Sequence, residues 1–172
     1  MFKEMKVAIR RQMTIHPEVM DVLNEQIALE MRASASYLAM ASWCDQRGLL
    51  NSKSFFYKQA EEERGHAMKI FEFINDAGGA SLSPSIAEVN NEFEGLKEIY
   101  EKSLDQEIKV TQSIYKCFKK ARSVDDFASE VFLQWFVSEQ LEEEDTVRSI
   151  LDVFDLMGDM PLKMIDERLP TE

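Results

Sequence analysis

Four long stretches of this chain carry apolar residues at steps of three and four, the spacing that lines up one face of an α-helix. The stripes run Val19, Leu23, Ile27, Ser34, Tyr37, Ala41; Phe56, Gln59, Ile70, Phe73, Ala77; Leu96, Tyr100, Leu104, Thr111, Ile114, Phe118; and Phe132, Phe136, Val147, Ile150, Phe154. Thr14-Ile15-His16-Pro17 starts the first helix, with Pro17 near the first helical position, and Gln46-Arg47-Gly48 ends it. Asn51-Ser52 starts the second, which stops at Gly78-Gly79. The polar stretch from Gly78 to about Asn91, with Ser81, Ser83, Pro84 and Ser85, is too long for a tight helical hairpin and predicts a crossover along the bundle. The third helix is expected from Glu92 to Arg122. Ser123, followed by Asp125 and Asp126, caps a fourth that ends at Met157-Gly158, and a short last helix runs from Pro161 to Leu169. The prediction is an all-α chain: a four-helix bundle with one long crossover and a short fifth helix at its C-terminal end.

Ionisable and amide side chains interrupt every stripe: Glu30 in the first, Glu63 and His66 in the second, Glu107 in the third, Gln140 and Glu143 in the fourth. Glu63 and His66 are three apart and share a face, so they can share one cation. Glu30 precedes Glu63 by 33 residues, and Glu107 precedes Gln140 by 33 again, so the halves read as a diverged duplication. An uncompensated buried carboxylate costs several kcal/mol, and three of them exceed the ~5 to 15 kcal/mol that stabilises a domain. No Lys or Arg falls on the four stripes, which leaves metal ions as the compensating charge. Carboxylates with one imidazole suit Fe, Mn or Zn, and two half-sites suggest two metals sharing a bridging carboxylate.

Glu62 and Glu139 sit about 100° round their helices from the buried face, at the edge of the same layer. Glu139 and Glu143 are neighbours at i, i+4, and with Glu142 they can hold a further, more exposed cation. The competing reading of Glu142-Glu143-Glu144-Asp145 is a solvated acidic face. Tyr37, two turns after Glu30, is either a core tyrosine or a donor of a hydrogen bond or electron near the metals. Trp135 reads as packing, and His16 as an exposed residue ahead of the first helix.

Composition narrows the partners. There are 32 acidic against 20 basic residues, a formal charge of −12, and no Lys/Arg cluster large enough for a nucleic-acid face. Nucleic acid and anionic membranes are excluded as expected partners; the acidity fits either solubility or the gathering of cations. No apolar run approaches the ~18 residues of a membrane span. Charges at Lys3, Glu4, Lys6, Arg10 and Arg11 are unlike a signal peptide, and Cys44 and Cys117 read as buried reduced thiols, so a soluble, cytoplasmic protein is expected.

From Pro17 onward the chain resembles the bacterial non-haem ferritins of the ferritin-like di-iron carboxylate family. The motifs that carry the resemblance are Asn24-Glu25-Gln26-Ile27-Ala28-Leu29-Glu30, Tyr37, Ala60-Glu61-Glu62-Glu63-Arg64-Gly65-His66-Ala67, Glu107, and Phe132-Leu133-Gln134-Trp135-Phe136-Val137-Ser138-Glu139-Gln140. The resemblance implies a ferroxidase centre in which Glu30 and His66 bind one iron, Glu63 bridges, and Glu107 binds the second with Gln140 beside it. Tyr37 matches the family's tyrosine next to the site. Glu62, Glu139, Glu142 and Glu143 match a third iron site. Gln140 stands where bacterioferritins carry the glutamate of a second Glu-x-x-His, so no haem is expected.

The same resemblance implies iron storage and detoxification: Fe(II) oxidised with O2 or H2O2, and ferric mineral kept in a homo-oligomeric 24-subunit cage. Residues 1–13 then read as an N-terminal tail and 14–172 as the ferritin-like domain. The carboxylate pair of animal ferritin pores falls at Glu130 and Leu133, and their nucleation carboxylates fall at Lys58 and Gly65. Mineral growth is therefore expected elsewhere, on Glu61 or near the third site. Arg64 reads as an outer charge partner. Gly65, mid-helix at a cost of about 1 kcal/mol relative to alanine, is expected to allow close helix approach or a water beside His66. Two other readings are a rubrerythrin-like peroxide-reducing enzyme, which would normally show two Glu-x-x-His motifs where this chain has one, and a metal-free helical adaptor.

Overall fold

The computed structural model describes residues 12–171; most of the expected 1–13 tail lies outside the described residues. Five helices are found among them: α1 Pro17–Asp45, α2 Leu50–Asp76, α3 Leu96–Ser123, α4 Phe127–Met157 and the short α5 Leu162–Asp166. Helix α1 packs on α2 and on α3, α3 packs on α4, and α5 docks against α2 and α4. Helices α2 and α4 meet through rings, with Phe73 stacked on Phe132 at 3.9 Å between centroids and His66 edge-on to Phe136 at 5.9 Å.

Two hydrogen bonds fix the course of the crossover. At one end of the bundle the Thr14 N–H donates to Ala77 O at 2.8 Å, and at the other the Trp43 indole donates to Phe93 O at 3.1 Å. The segment between Ala77 and Phe93 therefore travels the length of the bundle, as its length predicted.

The helix starts differ from the expected ones, each for a local reason. His16 is half-buried and is itself the α1 cap: its Nδ1 accepts from the Glu18 N–H at 3.3 Å, and its own N–H donates to Asp126 Oδ2 at 2.9 Å. Asp126, not Ser123, caps α4, accepting from the Ser129 N–H at 3.0 Å. One carboxylate thus serves two helix starts, while Ser123 turns its hydroxyl back to Lys120 O. Helix α3 begins at Leu96 rather than near Glu92, because Asn90 and Asn91 donate their side-chain amides to nearby carbonyls and hold the chain in turns. Helix α2 has no capping side chain of its own at Leu49; Asp166 of α5 accepts from the Asn51 and Ser52 N–H groups at 3.1 and 2.9 Å and from the Ser52 hydroxyl at 2.6 Å. That supplies, from a distance of 114 residues, the orphan donors every helix start leaves.

The apolar interior divides into two clusters. One gathers Tyr37, Phe56, Tyr100, Ile150 and Phe154; the other gathers Leu23, Ile27, Ile70, Ile114 and Phe136. Between them, at mid-height, lies the layer of polar residues that interrupted the stripes. Cys44 and Cys117 are free and buried, one in each cluster, and burial pushes both thiols up to about 12. Leu133, at the position matching a pore carboxylate, is fully buried in the second cluster, and Glu130 is paired with Arg122 at 2.6 Å.

Candidate metal centre

Each of the four long helices brings at least one polar residue to the mid-height layer. Glu30, Glu63 and Glu107 have no exposed surface, His66 is 4% exposed and Gln140 1%. Their positions on the stripes force this: a helix that buries the residues one turn before and after must bury these too. No lysine or arginine is among the buried polar residues described.

The hydrogen bonding of the layer is incomplete in a directed way. Glu30 Oε1 accepts from the Gln26 amide at 2.8 Å, while Oε2 has no partner. Both oxygens of Glu63 and the Nδ1 of His66 are also without partners, although His66 Nδ1 lies 3.5 Å from Glu63 Oε2. Glu107 accepts from the Tyr37 hydroxyl, which lies 3.0 Å from Ser103 Oγ, and its second oxygen is unpartnered. Buried polar atoms are otherwise almost always satisfied. Among the layer's carboxylate and imidazole groups five atoms, from α1, α2 and α3, are unsatisfied and all are potential metal donors; the amide oxygens of the neighbouring Gln26 and Gln59 are unpartnered too.

The electrostatics agree. Burial, then the charge of Glu63, pushes Glu30 well above the usual carboxylate range. Glu63 is pushed well above it by burial and then by Glu107. Burial raises Glu107 to about 7, opposed by the hydrogen bond from Tyr37, and raises Glu143 to about 8 with help from Glu107 and Glu62. Tyr37 is driven well above its ordinary value by burial and by the adjoining Glu107. Without a cation this layer resists ionisation.

Two groups have ligand atoms close enough to share an ion. Glu30, Glu63 and His66 each offer one atom within 4.8 Å of the others, and so do His66, Glu139 and Glu143. Carboxylate oxygens with one imidazole nitrogen suit iron, manganese or zinc. Glu107 stands across the layer with Tyr37, and Gln140 is buried beside it, with Oε1 3.1 Å from Thr111 Oγ1. Of the remaining expected residues, Glu139 is half-buried, 3.8 Å from His66 Nε2. Glu62 turns to Gln59 at 2.6 Å and Lys58 at 3.3 Å, and Glu142 is exposed, outside both groups. The run 142–145 therefore splits: Glu143 faces the layer, Glu142 and Asp145 face out, and Glu144 is held by Thr111 and Arg148.

Gly65 corrects an expectation. It is exposed, and a Cβ there would meet nothing within 4 Å, so neither close helix approach nor space beside His66 accounts for it. Arg64 and Glu61 form the expected outer pair at 3.6 Å. Trp135 packs, as expected, but against a candidate ligand: its ring lies edge-on to His66 at 5.4 Å, under Lys69 Nζ at 3.5 Å. Gln26, Ser103 and Thr111 were not singled out as site residues from the sequence. The signal was available, since each lies one helical turn from a ligand-type residue, four before Glu30, four before Glu107 and four after it.

A bundle whose four helices converge on buried carboxylates and one imidazole defines a helical metal-carboxylate protein. The chain belongs to the ferritin family: a ferritin-like domain matches residues 20–157. It is similar to the bacterial non-heme ferritin of Staphylococcus epidermidis, 39% identical over 83% of this chain and 86% of that one. It is also similar to that of Staphylococcus saprophyticus, 37% identical over 84% and 87%. Among solved structures it resembles an open pore ferritin from the hyperthermophilic archaeon Archaeoglobus fulgidus, with a TM-score of 0.86 and 33% identity over 90% of this chain and 95% of that one. Among the described residues no helix is long and apolar enough to cross a membrane.

Proposed function

We propose that this protein stores iron, oxidising it at the mid-height layer and holding the ferric product in a cytoplasmic 24-subunit cage of identical chains. The observation that carries the reading is the set of unpartnered buried donors on Glu30, Glu63, His66 and Glu107, for which no protein cation is at hand. Iron is here the substrate. Glu30 and His66 take one Fe(II), Glu107 with Gln140 the other, and Glu63 bridges. Glu139 and Glu143, beside His66, form the inner side of the third site, and Glu62 and Glu142 complete it by turning their carboxylates inward when the ion binds.

Each Fe(II) gives up one electron. With O2 the pair of electrons and two protons yield H2O2; with H2O2 they yield two waters. The surrounding carboxylates favour the higher charge of the ferric product over Fe(II). Tyr37 fixes one oxygen of Glu107 and leaves the other for the metal. Hydrolysis of the ferric ions releases protons as the product moves to the cavity.

Stopped-flow absorbance after mixing with aerobic Fe(II) tests this. The parent protein should oxidise two Fe(II) per chain rapidly and Glu63→Ala should not, with assembly intact; equal rates would overturn the site. The single Glu-x-x-His disfavours a rubrerythrin-like peroxidase, which would consume peroxide without accumulating mineral.

A further inference from the structure

Gln140 is a weak ligand compared with a carboxylate, and its amide has two ends of nearly equal size and opposite character. Only the carbonyl end can face a cation productively. Its NH2 end faces Glu107, and what holds its oxygen end is a single hydroxyl. Thr111 Oγ1 lies 3.1 Å from Gln140 Oε1 and 2.6 Å from Glu144 Oε1, and Glu144 is itself paired with Arg148. Thr111 has one proton for two acceptors. The nearer, charged Glu144 competes strongly for it, because charge-assisted hydrogen bonds are the shorter and stronger ones.

Two arrangements follow. When the proton goes to Gln140, the amide carbonyl faces Thr111 and its NH2 is turned towards the carboxylate layer. When the proton goes to Glu144, the Thr111 oxygen becomes an acceptor. The amide then gains by turning over, NH2 to Thr111 and carbonyl to the layer. A cation shared with Glu107 favours the second arrangement and an empty layer the first.

We infer that Thr111, tied to Glu144 and Arg148, is a positioning residue whose hydroxyl sets which end of the Gln140 amide faces the metal layer. Removing the hydroxyl leaves the amide without its pivot and weakens the second metal position while sparing the one on Glu30 and His66. The inference rests on the two-metal reading above and deepens it.

Anaerobic calorimetric titration with Co(II), together with the visible spectrum of the bound ion, tests it on the full-length assembled protein. Thr111→Val keeps the side-chain shape without the hydroxyl, and Thr111→Ser restores the hydroxyl. The expected result is about a tenfold loss of affinity at the second Co(II) in Thr111→Val, the size typical of outer-shell partners. The first Co(II) should be unchanged and Thr111→Ser near the parent. In a Gln140→Glu background, where both ends of the side chain are alike, the Thr111→Val loss should disappear. Equal second-site affinity in the parent, Thr111→Val and Thr111→Ser overturns the inference, as does an undiminished loss in the Gln140→Glu background. Fewer than two Co(II) per parent chain instead overturns the two-metal reading itself.

Discussion

His66 Nδ1 lies 3.5 Å from Glu63 Oε2, one helical turn away on the same buried face, and neither atom has a hydrogen-bond partner. A bare ring nitrogen beside a bare carboxylate is costly in an apolar interior and economical once a cation lies between them. Glu63→Gln keeps the shape and removes the charge. It should lower metal affinity by at least ~100-fold, beyond what outer-shell changes cost. Calorimetric titration with Zn(II) against the parent checks this, and parent-like affinity would falsify the ligand assignment.

Tyr37 gives Glu107 a hydrogen bond from α1 to α3, the strongest protein donor to that carboxyl, with the Gln140 amide a weaker one. Tyr37→Phe should destabilise the metal-free protein by about 1 to 3 kcal/mol, the usual cost of leaving a buried polar group unsatisfied. Urea unfolding of metal-free protein measures the loss. Added Zn(II) should recover much of it, since the ion replaces the missing partner.

The metal-free protein should lose stability as pH rises. Glu107 and Glu143 hold their protons to about 7 and 8 in the fold, whereas an unfolded glutamic acid releases its proton near the ordinary 4.5. Between those values the native state binds more protons than the unfolded one. Each such group therefore lowers unfolding free energy by up to about 1.4 kcal/mol per pH unit. Their penalty is absent below 4.5 and complete above their folded values. The melting temperature of chelator-treated protein should fall from pH 6 to pH 8.5 more steeply than that of Glu143→Gln. Metal binding should release protons, detectable by calorimetry in buffers of different ionisation enthalpy.

Gly65 faces open space on α2, with no backbone or ligand role in the chain's own fold. Gly65→Ala should raise stability by about 1 kcal/mol through helix propensity alone. Thermal unfolding reads this directly, and a loss of stability would point to a neighbouring subunit packed against that face.

Much of this layout was legible before the structure because burial and periodicity are coupled. Residues at steps of three and four must go inside together, so Glu30, Glu63, His66, Glu107, Gln140 and Glu143 were marked as interior by their neighbours. Helix starts were less legible. Asp126 outcompetes Ser123 because a carboxylate can reach both Ser129 and the start of α1, a contact spanning 110 residues. The partners of the site, Gln26, Ser103 and Thr111, look like ordinary polar interruptions until the facing helix is in place. Only the fold shows that Glu144 draws Thr111 in while Glu142 turns out.

The central claim is that the carboxylate layer feeds a store, and the most direct measurement of it is the iron that stays with the protein. After aerobic loading with excess Fe(II), size-exclusion with light scattering and in-line iron detection should show one large assembly. It should carry far more iron per chain than the three ions proposed for its metal sites, with little gain in hydrodynamic radius. Iron that saturates at two or three ions per chain, or protein that elutes as a monomer without mineral, would contradict the account.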